Sequence, residues 1–241
     1  MASVRLIEPV FLGFAFCIYV IGTLESQLIY RKTCIQQYNS TFCQLLYATK
    51  NETYKVYQDL VQEQSSQWSI YINLIRLVPS LVTSLFCAGW FDSAGRKRFL
   101  FMPLLGGVLS SIGYIVNSYF MHLSVYWMFI GIFLDGIFGS NAVMISAIVA
   151  YLADSTTNED RTKRFVILDS MLFLGGFFSE ITTGLLLQNY GFIPPFSISL
   201  SIYVLLMVYW CFLEESYPSQ LQEIPSRWFK RIEQKLLHGS Y

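Results

Sequence analysis

The sequence predicts an all-α membrane protein with six transmembrane helices. Three observations lead there: a very apolar composition, six apolar runs of spanning length, and a one-sided distribution of basic residues. The chain has 241 residues, of which 54% are hydrophobic and only 13% charged, and its mean hydropathy is +0.46. A soluble domain of this size carries roughly twice that share of charge, so the bilayer is the expected solvent. Sixteen Lys and Arg balance sixteen Asp and Glu, a balance that gives no sign of a nucleic-acid partner.

The apolar runs lie at about 7–30, 68–91, 99–120, 124–152, 165–188 and 193–213. Each reaches the roughly 20 residues that a helix needs to cross about 30 Å of hydrocarbon. None shows the ten-residue alternation of a barrel strand. The fourth is longer than a span and is expected to continue as helix beyond the membrane. Residues 31–67 form a long polar loop, and 214–241 a polar tail.

Basic residues orient the spans. Arg5, the Arg96-Lys97-Arg98 run, Arg161, Lys163, Arg164 and the tail cluster Arg227, Lys230, Arg231, Lys235 all fall on one side. That side is expected to be cytosolic, with both termini on it. The loop 31–67 then faces the lumen or the exterior. Two glycosylation sequons, at Asn39 and Asn51, occur in that loop. Cys34 and Cys43 share it and are placed to bridge each other or a cysteine elsewhere. In the tail, Trp228, Phe229, Ile232 and Leu236 share one helical face ringed by the basic cluster. This pattern suits an interfacial amphipathic helix, the alternative being a frayed tail.

Charges inside spans cost about 2.5–3.5 kcal/mol on insertion scales and mark candidate functional positions. They are Glu25, Arg76, Asp135, Asp169 and Glu180. Asp169 and Glu180 stand about three turns apart on nearly one helix face, with Gly176 between them. A carboxylate in a dehydrated cavity resists ionisation and can exchange a proton near neutral pH. Both are candidates for proton coupling, or else for a buried ion pair with Arg76 as the cation. Arg76 itself suits either an anionic substrate group or an acid to be neutralised. Glu25 is expected near the outer headgroups or buried below them. Asp135, among Gly131, Gly136 and Gly139, suggests tight helix packing. The cysteines show no zinc or redox spacing, and no hydrolase motif is present. No enzyme, metal or cofactor is expected.

Asp92-Ser93-Ala94-Gly95-Arg96-Lys97-Arg98 occupies a short turn between the second and third spans. Gly95 suits a tight turn, and Asp92 can cap a helix. This motif resembles the signature loop of the major facilitator superfamily, with Ala88 standing where that signature has a leading glycine. Further segments resemble one branch. They are Glu8-Pro9, Tyr30-Arg31-Lys32, Leu77-Val78-Pro79-Ser80-Leu81-Val82, Gly136-Ile137-Phe138-Gly139-Ser140-Asn141, Ala150-Tyr151-Leu152-Ala153-Asp154, Ile167-Leu168-Asp169 and Tyr190-Gly191-Phe192. Together they resemble the proton-coupled folate transporter family, solute carrier family 46, and look closest to its lysosomal steroid-conjugate branch.

That resemblance implies the N-terminal six-helix half of a major facilitator fold. It implies symport of a proton with a small organic anion, folate-like or steroid-conjugate-like, across the plasma or lysosomal membrane. Asp169 would take the proton-coupling position. Asp92, Gly95, Arg96, Lys97, Asp154 and Arg161 would form a cytosolic gate. A loop cysteine can, by the same resemblance, bridge to the second half. The expected partners are the lipid bilayer, the anion, a proton, and a C-terminal six-helix half or another chain. The alternative is a truncated, non-transporting membrane protein acting as a scaffold or regulator.

Overall fold

A computed structural model describes residues 7–48, 52–94, 96–155 and 158–213, without the side chains of 47–53, 88–98 and 154–160. The tail that carries the expected amphipathic helix lies outside the described residues. Within them all regular structure is helical, in the order α1 (Glu8–Gln37), α2 (Ser40–Ala48), α3 (Glu52–Ala94), α4 (Arg96–Tyr119), α5 (Tyr126–Ile137), α6 (Ser140–Ser155), α7 (Asn158–Tyr190) and α8 (Ile193–Cys211).

Among the described residues, six segments are long and apolar enough to cross a membrane. They are Glu8–Gln37, Tyr54–Cys87, Phe99–Tyr119, Tyr126–Ala153, Arg161–Tyr190 and Ile193–Cys211. Local chemistry sets their ends. Pro9 opens α1 at its first turn, and Pro194 and Pro195 open α8, where a missing N–H costs no helical bond. Gly191, at φ +83°, turns the chain from α7 into α8.

The spans pair in a repeating pattern. The first packs on the fifth as the fourth packs on the second, the third packs on the fourth as the sixth packs on the first, and the third and sixth pack on each other. Exchanging spans one to three with four to six leaves the pattern unchanged, the mark of an internal repeat. Small residues permit the closest approaches. A Cβ on Gly136 of α5 would stand 2.7 Å from the Arg76 carbonyl of α3, and one on Gly175 of α7 would stand 2.9 Å from the Phe16 nitrogen of α1.

The fourth span differs from expectation. It does not run on as one helix but breaks between α5 and α6, where Gly139 and Ser140 have φ +89° and +42°. Ser140 is not a glycine, so this backbone is strained. Three hydroxyls hold it. Ser80 Oγ donates to the Gly139 carbonyl at 2.8 Å and Thr83 Oγ1 to the Ile137 carbonyl at 2.9 Å. Ser140 Oγ donates to Asp135 Oδ2 at 2.8 Å. The Thr83 hydroxyl thus satisfies the Ile137 carbonyl at the break, and the Gly139 carbonyl accepts from the Val143 N–H at 3.1 Å as well as from Ser80, where the absence of water demands internal partners.

The loop expected at 31–67 is also largely helical. α1 continues to Gln37, α2 follows, and α3 begins at Glu52, well before its membrane span. A disulfide joins Cys34 of α1 to Cys43 of α2. These cysteines, Leu46 and Val61 form a small core apart from the main one. Tyr38, Phe42, Tyr54 and Tyr57 close it with ring pairs 5.2–6.0 Å apart. Lys32, fully buried, donates to the Phe120 and Leu123 carbonyls at 3.2 and 3.0 Å, tying this cap to the turn after α4.

Gly136→Val should lower the melting temperature of the purified protein in nanodiscs, since overpacking costs about 1–3 kcal/mol. Gly184→Ala, where nothing lies within 4 Å of the added methyl, should leave it unchanged. Equal melting of the two variants would contradict the α3–α5 backbone contact.

Candidate functional site

Four spans meet at an ionic cluster. α3 supplies Arg76, α1 Glu25, α4 Tyr114 and α5 Asp135. The Arg76 guanidinium donates from Nη2 to Glu25 Oε2 and to the Tyr114 hydroxyl, the latter at 2.9 Å. Its Nε stands 3.6 Å from Asp135 Oδ2. Tyr114 donates its own proton to Glu25 Oε2 and stacks on Phe196 of α8, with ring centroids 5.0 Å apart. The side chains of Glu25, Asp135 and Arg76 are 9%, 14% and 22% exposed. The guanidinium therefore faces its partners with little water between them, where charge-assisted hydrogen bonds are strong.

Arg76, Tyr114 and Asp135 of the cluster line a cavity of about 150 Å³. Phe14, Ile18, Ile21 and Gly22 of α1, Ser110 of α4, Ser140 and Asn141 of α6, and Tyr203 of α8 complete it. The break in the fourth span adjoins this cavity, because Asp135 bonds Ser140 across it.

The structure rearranges several sequence expectations. Arg76 pairs with Glu25 and Asp135, not with Asp169. Glu25 is buried at mid-helix rather than placed at a mouth. Asp135 is an ion-cluster member as well as a neighbour of packing glycines. Asp169 is exposed, on the face of α7 turned away from the core. Glu180 is exposed too, and accepts a hydrogen bond from Thr23 of α1 at 2.6 Å. Gly176 does not open space between these two acids, since the Tyr19 ring lies 3.2 Å from where its Cβ would be.

Of the motif cluster, Asp92, Gly95, Arg96, Lys97 and Asp154 lie outside the described side chains. Arg161 donates to the Ala153 carbonyl at 3.0 Å. At the same end of the bundle Arg164 stands 3.7 Å from Glu8. Asn39 is exposed just before α2, and Asn51 lies outside the described residues.

Tyr114, Thr83 and Ser140 were missed in the sequence. A tyrosine in the middle of a span was the available signal for the first, because a phenol in hydrocarbon needs a partner. Ser80 and Thr83 lie one and two turns beyond Arg76, so the same face of α3 that carries the charge carries the hydroxyls.

A multi-pass integral membrane protein with a charge cluster and cavity between broken and continuous spans is the architecture of a secondary transporter. A family model described as the Major Facilitator Superfamily matches residues 45–239, and the chain belongs to that superfamily. Nested three-helix repeats are a general property of it, and the helix pairing above conforms to them.

The chain is 27% identical over 215 residues to the lysosomal proton-coupled steroid conjugate and bile acid symporter of Gallus gallus, covering 87% of this chain and 46% of that protein. It is 26% identical over 166 residues to the proton-coupled folate transporter of Bos taurus, covering 67% and 36%. The crystal structure of the POT family transporter PepTSo superposes with a TM-score of 0.52 at 14% identity, over 88% of this chain and 39% of that one. This last likeness concerns the fold alone. The chain spans about half the length of the curated relatives it matches, and those relatives are transporters, not enzymes.

Arg76→Met should destabilise the protein by about 3 kcal/mol, because it leaves two carboxylates facing an apolar site. Adding Glu25→Gln and Asp135→Asn should recover most of that loss. Thermal unfolding of the single and triple variants checks this, and additive losses would count against a single coupled cluster.

Proposed function

We propose that the chain builds one six-helix half of a proton-coupled carrier for small organic anions. The names of its relatives suggest the range: steroid conjugates and bile acids in one, folate in the other. The observation that carries the reading is the Arg76 guanidinium, paired with Glu25 and Asp135, on the wall of a cavity.

The charge arithmetic supplies a coupling mechanism. With both acids ionised the cluster carries one net negative charge, which repels an anion. When Glu25 or Asp135 takes a proton, Arg76 loses an anionic partner and is released to pair with the substrate. Proton and anion then assist each other's binding, and linkage makes the assistance reciprocal. Tyr114, bonded to both Arg76 and Glu25, holds the guanidinium at the cavity.

Asp169 and Glu180 belong to the same scheme as proton acceptors on the uncovered face of α7. Ionisable groups are costly against lipid, so that face suits a second six-helix half, or another chain, across a water-filled cleft. Asp92, Gly95, Arg96, Lys97, Asp154 and Arg161 form the gate at the cytosolic end. The disulfide cap faces the lumen or exterior, with Asn39 and Asn51 available for glycosylation. The membrane is the plasma or the lysosomal one.

Uptake of a labelled organic anion under an imposed pH gradient tests this. Arg76→Gln should reduce uptake at least tenfold, and Asp169→Asn and Glu25→Gln should each flatten its pH dependence while the protein reaches its membrane. Unaltered pH dependence in both acid variants would refute the proton coupling.

A further inference from the structure

A larger cavity, about 580 Å³, lies nearer the disulfide cap. Gln27 and Arg31 of α1, Gln44 of α2, Gln62 of α3, Leu187 of α7, and Phe192 help to line it. Its volume falls in the range of about 300–1,000 Å³ that holds drug-sized ligands. It is separate from the ionic cluster. Along α1 the inner cavity reaches Gly22, and the outer one begins about 6 Å further on at Ser26 and extends to Arg31, about 14 Å from Gly22.

The lining has a definite chemistry. Arg31 stands over the Phe192 ring, 5.7 Å from its centre, and pairs with no carboxylate among the described residues. The neighbouring Lys32, by contrast, is spent on the Phe120 and Leu123 carbonyls. Gln27, Gln44 and Gln62 converge from three different helices. Among the described residues none of their side chains makes a hydrogen bond, so each can donate and accept. Phe192 and Leu187 supply an apolar wall. A planar guanidinium set on an aromatic face beside free carboxamides suits a carboxylate or sulfonate attached to an apolar ring system.

We infer that this cavity is a second binding station for the organic anion, with Arg31 taking its charged group and Phe192 its apolar body. The inference rests on the organic-anion reading above and adds a site to it. Anion held here is about two helical turns or less from Glu25 and the cavity that Arg76 faces, at the mouth of the same route.

The test is equilibrium binding of labelled taurocholate, a sulfonate on a steroid body, to the whole chain in nanodiscs. Arg31→Gln should weaken one class of sites at least tenfold, and Arg31→Lys should restore most of the affinity. Gln62→Glu alters an exposed, unpartnered side chain, so it should not disturb folding, and its added charge should weaken the same class. Methyl cholate, which is uncharged, should bind all three variants and the wild type alike. Taurocholate binding unchanged in both Arg31→Gln and Gln62→Glu, but weakened by Arg76→Gln, would overturn this station and leave the carrier reading standing. Equal weakening of methyl cholate would overturn the anion assignment. No taurocholate binding to the wild-type chain would overturn both.

Discussion

The guanidinium of Arg76 is the point on which the bundle turns. It reaches α1 through Glu25, α4 through Tyr114 and α5 through Asp135, so one side chain fixes four helices relative to one another. Its position in turn depends on Gly136, whose missing side chain lets α5 lie directly against the Arg76 backbone. A charge in hydrocarbon is tolerated only when paired, and pairing of this kind specifies rotation as well as contact. α3 rotated by one residue, about 100°, would carry Arg76 away from its partners, and the polar side chains below it would lose theirs.

The same face of α3 then governs the fourth span. Ser80 and Thr83 satisfy carbonyls at the break, while Asp135 holds Ser140 in a backbone conformation that few non-glycine residues adopt. Protonation of Asp135 changes its hydrogen-bonding capacity, and that change falls on the residue that maintains the break. Local strain, charge pairing and helix continuity are therefore coupled within a few residues of each other.

Much of this was legible in the sequence, and the rest was not for definite reasons. Span number and length follow from apolar run length, which depends on bilayer thickness alone. Arg76, Glu25 and Asp135 stood out as charges in apolar runs, but their grouping did not. Helical spacing relates Asp169 to Glu180 within one helix, whereas the partner of Arg76 is decided by the α3–α5 approach at Gly136. The break at Gly139-Ser140 sits inside an unbroken apolar run and depends on hydroxyls roughly sixty residues away. The disulfide cap is polar outside with only a few buried apolar positions, so its helices carry little periodic signal.

α3 has a mechanical character that its chemistry does not reveal. It is one continuous helix of 43 residues, about 65 Å long at 1.5 Å per residue. It runs from the disulfide cap past the ionic cluster to Ala94, within the motif. The contact with Gly136 falls near its middle. A rod supported at its middle is a seesaw: a tilt of about 5° there moves the two tips by about 2–3 Å in opposite directions. A tilt of α3 as one body would pair inward movement at one end of this bundle with outward movement at the other.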